Sequence, residues 1–176
     1  MALQFSEKAE QEFQELLTRY PTKQAAMLPA LLLAQAEFGW VSVEVMDFIA
    51  GRLDLPPAKV LTTATFYSMY NKQPVGKCHI QVCTTLSCAF RGGYELLEKL
   101  EAKLGVRRGE TTTDGNFTLS EVECLASCGT APMFQVTDSK GEMEYFESLT
   151  TDAKLDAVLE KLNAKLKELP DPREMH

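Results

Sequence analysis

Apolar residues recur at helical spacing through the first 70 positions, as in Phe5, Ala9, Phe13, Leu16, Leu17 and Tyr20, with Glu and Gln between them. The pattern predicts a first amphipathic helix broken at Pro21 and Thr22. Thr22 is a candidate N-cap for a second helix that runs through Leu28, Leu31, Leu32 and Gln35 to a stop at Gly39, with Pro29 inside its first two turns. Val45, Phe48, Ile49 and Leu53 mark a short third helix. Pro56 and Pro57 stand where proline suits the start of a fourth, which carries Val60, Leu61, Ala64, Phe66, Tyr67 and Tyr70. The first 70 residues are expected to form a helical bundle.

Residues 71–76 are turn chemistry, and beyond them the period changes. Residues 77–83 alternate polar and apolar as a strand does, residues 94–104 read as a helix ended by Gly105, and residues 117–123 alternate again, which makes a β-α-β unit. Residues 133–137 and 143–146 flank a turn at 138–141, and residues 151–169 form a last amphipathic helix closed by Pro170. A β-α-β unit followed by a hairpin and a helix is the thioredoxin-like order. The expected class is α+β, with a helical bundle domain over 1–74 and a thioredoxin-like α/β domain over 75–176.

Composition narrows the function. The 18 Lys+Arg against 25 Asp+Glu leave a net charge of −7, so the basic surplus that neutralises phosphates or anionic lipid is missing and nucleic acid is not expected as a partner. The longest apolar run, residues 25–34, contains Pro29 and reaches half the roughly 20 residues of a membrane span. The start of the chain, Met1 to Glu7, has neither a basic head nor a continuous apolar stretch, so no export and a reducing cytosolic compartment are expected. There, five cysteines arranged as two close pairs and one single residue point to metal binding or redox chemistry over structural disulfides.

Cys83 and Cys88 lie in Cys-Thr-Thr-Leu-Ser-Cys, between a predicted strand and helix, and Cys124 and Cys128 lie in Cys-Leu-Ala-Ser-Cys just after the second predicted strand. Parallel strands joined by a crossover put their C-terminal ends on one edge, so the two loops are expected to face each other. Four thiolates suit zinc or an iron–sulfur cluster alike. Zinc hooks usually place two residues between their cysteines, whereas the gaps here are four and three, which favours a two-iron cluster with one pair on each iron. Redox disulfides or unliganded thiols stay open beside zinc. A Rieske centre is excluded, because the only histidines are His79, inside a strand, and His176, the last residue.

These segments resemble a known family, the thioredoxin-like 2Fe-2S subunits (the E subunit in bacteria) of the NADH-oxidising module of respiratory complex I. The resemblance rests on Ala-Thr-Phe-Tyr at 64–67, the first cysteine segment with Arg91 and Gly92 after it, Gly-Glu-Thr-Thr at 109–112 with Asp114 and Gly115, Glu123-Cys124 to Cys128-Gly129, and Ala131-Pro132. It implies a 2Fe-2S cluster held by Cys83, Cys88, Cys124 and Cys128, and a role passing single electrons to or from the FMN of a partner subunit that binds NADH. It also implies a place in NADH:quinone oxidoreductase, in the cytoplasm and peripheral to the inner membrane through the complex. NAD-linked formate dehydrogenases and hydrogenases have similar subunits. A free-standing ferredoxin and a zinc-stapled interaction module are the readings from other classes.

The remaining candidates read more plainly. Cys78 is expected to be a buried structural thiol and His79 ordinary strand surface. Arg91 is either solvated or placed to favour a reduced, more negative cluster. Gly92 and Gly93 fit a tight helix entry, since no phosphate-binding glycine pattern occurs. Phe66, Tyr67, Met69 and Tyr70 read as an aromatic face for core or interdomain packing, or else for a partner.

Overall fold

A computed structural model describes residues 3–172, so Met1, at the start of the segment without a basic head, and the second histidine, His176, lie outside the described residues. The chain divides at Pro74 into two compact units, the second being Val75–Asp171, with Pro172 grouped with the first.

The first unit holds helices α1 (Glu7–Arg19), α2 (Met27–Phe38), α3 (Val43–Leu53) and α4 (Pro57–Phe66). Ser6 caps α1 by accepting the Ala9 N–H, and Ser42 caps α3 by accepting that of Val45, each satisfying a donor that the first turn leaves without a partner. Thr22 caps only an irregular turn, its hydroxyl accepting the Ala25 N–H, and α2 starts later, at Met27. Pro29 therefore falls in the first turn of α2, where a missing N–H costs nothing. The core includes Phe13, Leu31, Ile49, Leu53 and Val60. Arg52 of α3 ties in α1, donating to both carboxylate oxygens of Glu10 at 2.7 and 2.6 Å while its guanidinium lies 4.5 Å from the centre of the Phe13 ring.

The aromatic run after α4 divides. Tyr70 is buried and its hydroxyl donates to the Leu28 carbonyl at 2.9 Å, but Phe66, Tyr67 and Met69 are exposed, Phe66 at 79%. Core packing thus accounts for one of the four. The helix ends at Phe66, so the others no longer share a helical face.

The second unit is a four-stranded sheet in the order β2-β1-β3-β4, built from β1 (Cys78–Cys83), β2 (Phe117–Val122), β3 (Phe134–Asp138) and β4 (Met143–Phe146). β1 pairs parallel with β2 and antiparallel with β3, and β3 pairs antiparallel with β4. Parallel pairing needs a crossover, which α5 (Leu86–Phe90) and α6 (Gly93–Leu104) supply. After β4 comes α7 (Asp152–Lys165), capped by Thr151 and followed by a 3-10 turn at Leu166–Glu168. Ile80, Val82, Leu119, Phe134 and Val136 pack with Leu96, Leu97 and Leu100 of α6 and Leu155 and Leu162 of α7, so both long helices cover one face of the sheet. This α+β arrangement, helices first and a thioredoxin-like order after them, is the expected class.

His79 departs from expectation: it is buried, not strand surface. It projects to the polar face of the sheet, where its Nε2 lies 2.8 Å from Ser120 Oγ, beside Thr118 and Gln135, which are also buried. Burial pushes its imidazole down to about 4. Cys78 is fully buried as expected, and desolvation raises its thiol to about 11.

Folded His79 binds its proton only near pH 4, whereas the unfolded side chain does so near 6.5, so between these values the unfolded state holds more protons and acid costs stability. We expect His79→Gln to flatten the fall in unfolding free energy between pH 6.5 and 4, on the order of 3 kcal/mol across the window, measured by urea denaturation against the wild-type chain.

Candidate metal centre

The register of the parallel pair sets the site. Cys83, the last residue of β1, lies opposite Val122, the last of β2, so both cysteine loops leave the sheet from one edge. The β1 exit is held on both sides: the Cys83 N–H donates to the Met133 carbonyl at 3.3 Å and the Thr84 N–H to the Val122 carbonyl at 3.4 Å. The first loop then closes into α5, a five-residue helix that turns Cys88 inward and leaves Leu86 and Phe90 outward. Sequence periodicity could not reveal so short an element. The second loop carries Cys124, crosses Ala126 at a φ of 62°, and ends in a 3-10 turn at Cys128–Thr130 ahead of a cis Ala131–Pro132 bond.

The four sulfurs form an inner and an outer pair. Cys83 and Cys88, at 4% and 2% exposure, lie in an apolar cluster with Ala131 and Met133, and Leu125 packs against it. Cys124 and Cys128 are exposed, their sulfurs 4.0 Å apart. Burial pushes the Cys83 thiol up, but hydrogen bonds from the backbone amides of Leu125 and Thr85, from the Cys88 thiol and from the Thr85 hydroxyl outweigh it and leave the thiol below its usual range. Cys88 is pushed up to about 11, first by burial and then by the sulfur of Cys83, with the Met133 amide opposing and the charge of Cys128 adding. The Ala126 N–H donates to Cys124 Sγ at 3.3 Å. Both loops thus turn amides toward sulfur, and those donors offset thiolate charge.

Two pairs of thiols, with amide donors on sulfurs of both, form a donor set that fits thiolate-held iron. Among the described residues, no three His, Cys, Asp or Glu side chains are grouped closely enough to hold one metal ion. Cys78 and His79 lie at the other end of β1 from the loops. Arg91 is exposed at the end of α5, its N–H bonded to the Cys88 carbonyl at 3.1 Å.

Glu121, Glu147 and Tyr145 gave no sequence signal, because they lie on β2, just after β4 and on β4, outside both cysteine segments. Thr84 donates to Glu121, Thr85 Oγ1 lies 3.3 Å from Glu123 Oε2, Ser127 and Thr130 donate to Glu147, and the Tyr145 hydroxyl donates to the Leu125 carbonyl. The glycine pair, by contrast, was legible. Gly92 has a φ of 93°, and a Cβ on Gly93 would stand 2.9 Å from the carbonyl oxygens of both Cys83 and Cys88.

A thioredoxin-like sheet with two cysteine pairs at one strand edge defines a class of iron–sulfur carriers, and this chain belongs to the thioredoxin-like 2Fe-2S ferredoxin family, whose family model matches residues 13–163. Its relatives include the E subunit of the NADH-quinone oxidoreductase of Rickettsia conorii (strain ATCC VR-613 / Malish 7), 43% identical over 152 residues that cover 85% of this chain and 87% of that protein. The E 2 subunit of the NADH-quinone oxidoreductase of Rhizobium meliloti (strain 1021) is 42% identical over 154 residues, 88% of each chain. Among solved structures, the crystal structure of an NAD+-reducing NiFe-hydrogenase in the air-oxidized state matches in fold with a TM-score of 0.66 at 22% identity. That match covers 79% of this chain but spans only 23% of the hydrogenase chain. No helix among the described residues is long and apolar enough to cross a membrane.

Because both carbonyls facing Gly93 are backbone and belong to the cysteine loop, neither can step aside without moving a sulfur. Gly93→Ala is expected to destabilise the fold by about 1–3 kcal/mol, seen as a lower melting temperature.

Proposed function

We propose that this chain is the electron-transfer subunit of an NADH:quinone oxidoreductase, holding a 2Fe-2S cluster through Cys83, Cys88, Cys124 and Cys128. The single observation that carries the reading is the pair of cysteine loops leaving one sheet edge, with amides turned onto sulfurs of both. The family match and the relatives named as E subunits of NADH-quinone oxidoreductase support it.

When bound, a 2Fe-2S cluster supplies reversible one-electron chemistry at a site that makes and breaks no substrate bonds. The work of this chain is to present sulfur and control its surroundings. Cys83 and Cys88 hold the inner side in an apolar cluster that excludes water, while Cys124 and Cys128 hold the outer side open toward a partner. Amides of Thr85, Leu125, Met133 and Ala126 offset the charge of the sulfurs. The partner is a subunit that binds FMN and NADH and exchanges single electrons with this one; hydride and proton handling are its task. The complex places the chain in the cytoplasm, beside the inner membrane. A second reading, the equivalent subunit of an NAD-linked hydrogenase or formate dehydrogenase, draws support from the hydrogenase fold match.

The full chain is expected to contain two irons and two acid-labile sulfides and to give a one-electron paramagnetic signal when reduced. Alanine at Cys83, Cys88, Cys124 or Cys128 should abolish or destabilise the cluster, whereas Cys78→Ala should keep it. Stoichiometric zinc without iron would overturn the assignment, and loss of the cluster on Cys78→Ala would mean a different ligand set.

The isolated chain should not oxidise NADH, and addition of the FMN-containing subunit should make its visible absorption bleach with NADH. NADH oxidation by the chain alone would contradict the carrier role.

A further inference from the structure

The outer cysteine loop is held from outside by one carboxylate. Glu147, the residue after β4, accepts hydrogen bonds from Ser127 Oγ and, at 2.6 Å, from Thr130 Oγ1, and the two hydroxyl oxygens lie 2.8 Å from each other. Ser127 directly precedes Cys128, and Thr130 ends the 3-10 turn that Cys128 begins. The Ser148 N–H donates to the Thr130 carbonyl at 2.7 Å, so the segment after β4 grips the turn by side chain and backbone together.

A comparable contact on the first loop is electrostatically different. Thr84 donates to Glu121 at 2.7 Å, but Glu121 is paired at 2.6 Å with Arg108 Nη1, a cation it shares with Glu101 and which offsets its charge. Among the described residues Glu147 has no cation partner: its contacts are the two hydroxyls. Those hydroxyls keep an exposed carboxylate from swinging freely into solvent, so a full negative charge is fixed beside the Cys128 turn. An anion near a thiolate-held cluster opposes the arrival of another electron, and the net charge around such a cluster is one of the levers on its potential.

We propose that Glu147 is a positioning residue of the iron–sulfur site, which pins the turn carrying Cys128 and, by its unneutralised charge, holds the midpoint potential down. This rests on the reading in which Cys124 and Cys128 bind iron. Its two parts separate by substitution. Glu147→Gln retains an acceptor oxygen for the hydroxyls and removes only the charge, whereas the double change Ser127→Ala, Thr130→Val keeps the charge and removes the grip.

The test is a redox titration of the full chain with dithionite, followed by electron paramagnetic resonance, together with the rate of iron release to a chelator. Glu147→Gln should move the midpoint to a more positive potential with the signal shape of the wild-type chain. The double variant should lose iron several-fold faster. A Glu147→Gln chain that holds its cluster at the wild-type midpoint overturns the proposal. Should that variant not hold a cluster, the double variant decides: accelerated release upholds the grip, and an unchanged rate overturns it. A wild-type chain without a 2Fe-2S cluster would instead overturn the functional reading, and would be seen before any variant is made.

Discussion

Parallel pairing of β1 with β2 is the constraint on which the site depends. Antiparallel strands would send the loops after Cys83 and Val122 to opposite ends of the sheet. In parallel register the two strand ends lie side by side, and two cysteine segments far apart in sequence open at one edge. The remaining architecture follows from that choice. A parallel pair demands a crossover, the crossover is α6, and α6 must begin immediately after the inward turn of Cys88. Gly92 and Gly93 make this close junction possible, one by its positive φ and the other by lacking a Cβ against two carbonyls. On the other side, β3 runs antiparallel to β1 and brings Met133 to the same edge, where its carbonyl takes the Cys83 N–H and its amide bears on Cys88.

The edge joins two different electrostatic settings. Burying a thiolate without donors is costly, and the inner pair is buried. Backbone amides, together with the Cys88 thiol and the Thr85 hydroxyl, answer that cost at Cys83 strongly enough to reverse the effect of burial, whereas at Cys88 the Met133 amide does so only in part. The outer pair is close to water, and its loop is shaped less by packing than by polar ties: hydroxyls to Glu147 and a tyrosine hydroxyl to the Leu125 carbonyl. One half of the site is held by apolar packing and the other by hydrogen bonds.

How much of this was legible depended on whether the signal was local. Helical spacing around Phe13, Leu31 and Ile49 and the alternation at residues 78–83 are local, so the elements and their order could be read. The cysteine pairs could be read because the chemistry of sulfur narrows their uses. Alternation placed His79 on the polar face correctly but could not tell that this face is buried. In the same way, Phe66 and Met69 look like core residues by composition, and only the end of α4 at Phe66 shows why they are not. Glu147 escaped altogether, since nothing near it in sequence marks it. It matters through Ser127 and Thr130, which the fold brings to it from the cysteine loop.

The order of the strands bears on biosynthesis. β1 lies inside the sheet, flanked by β2 on one side and β3 on the other, and both neighbours come later in the chain. During translation the four helices of the first unit are complete before β1 emerges. β1 then waits with both edges unpaired and its apolar face uncovered, with Cys83 at its end and Cys88 beyond it in α5, until β2 and β3 have been made. The edge from which both cysteine loops leave is therefore a late product of synthesis, and a nascent chain stalled before Cys124 carries one cysteine pair where the finished protein carries two.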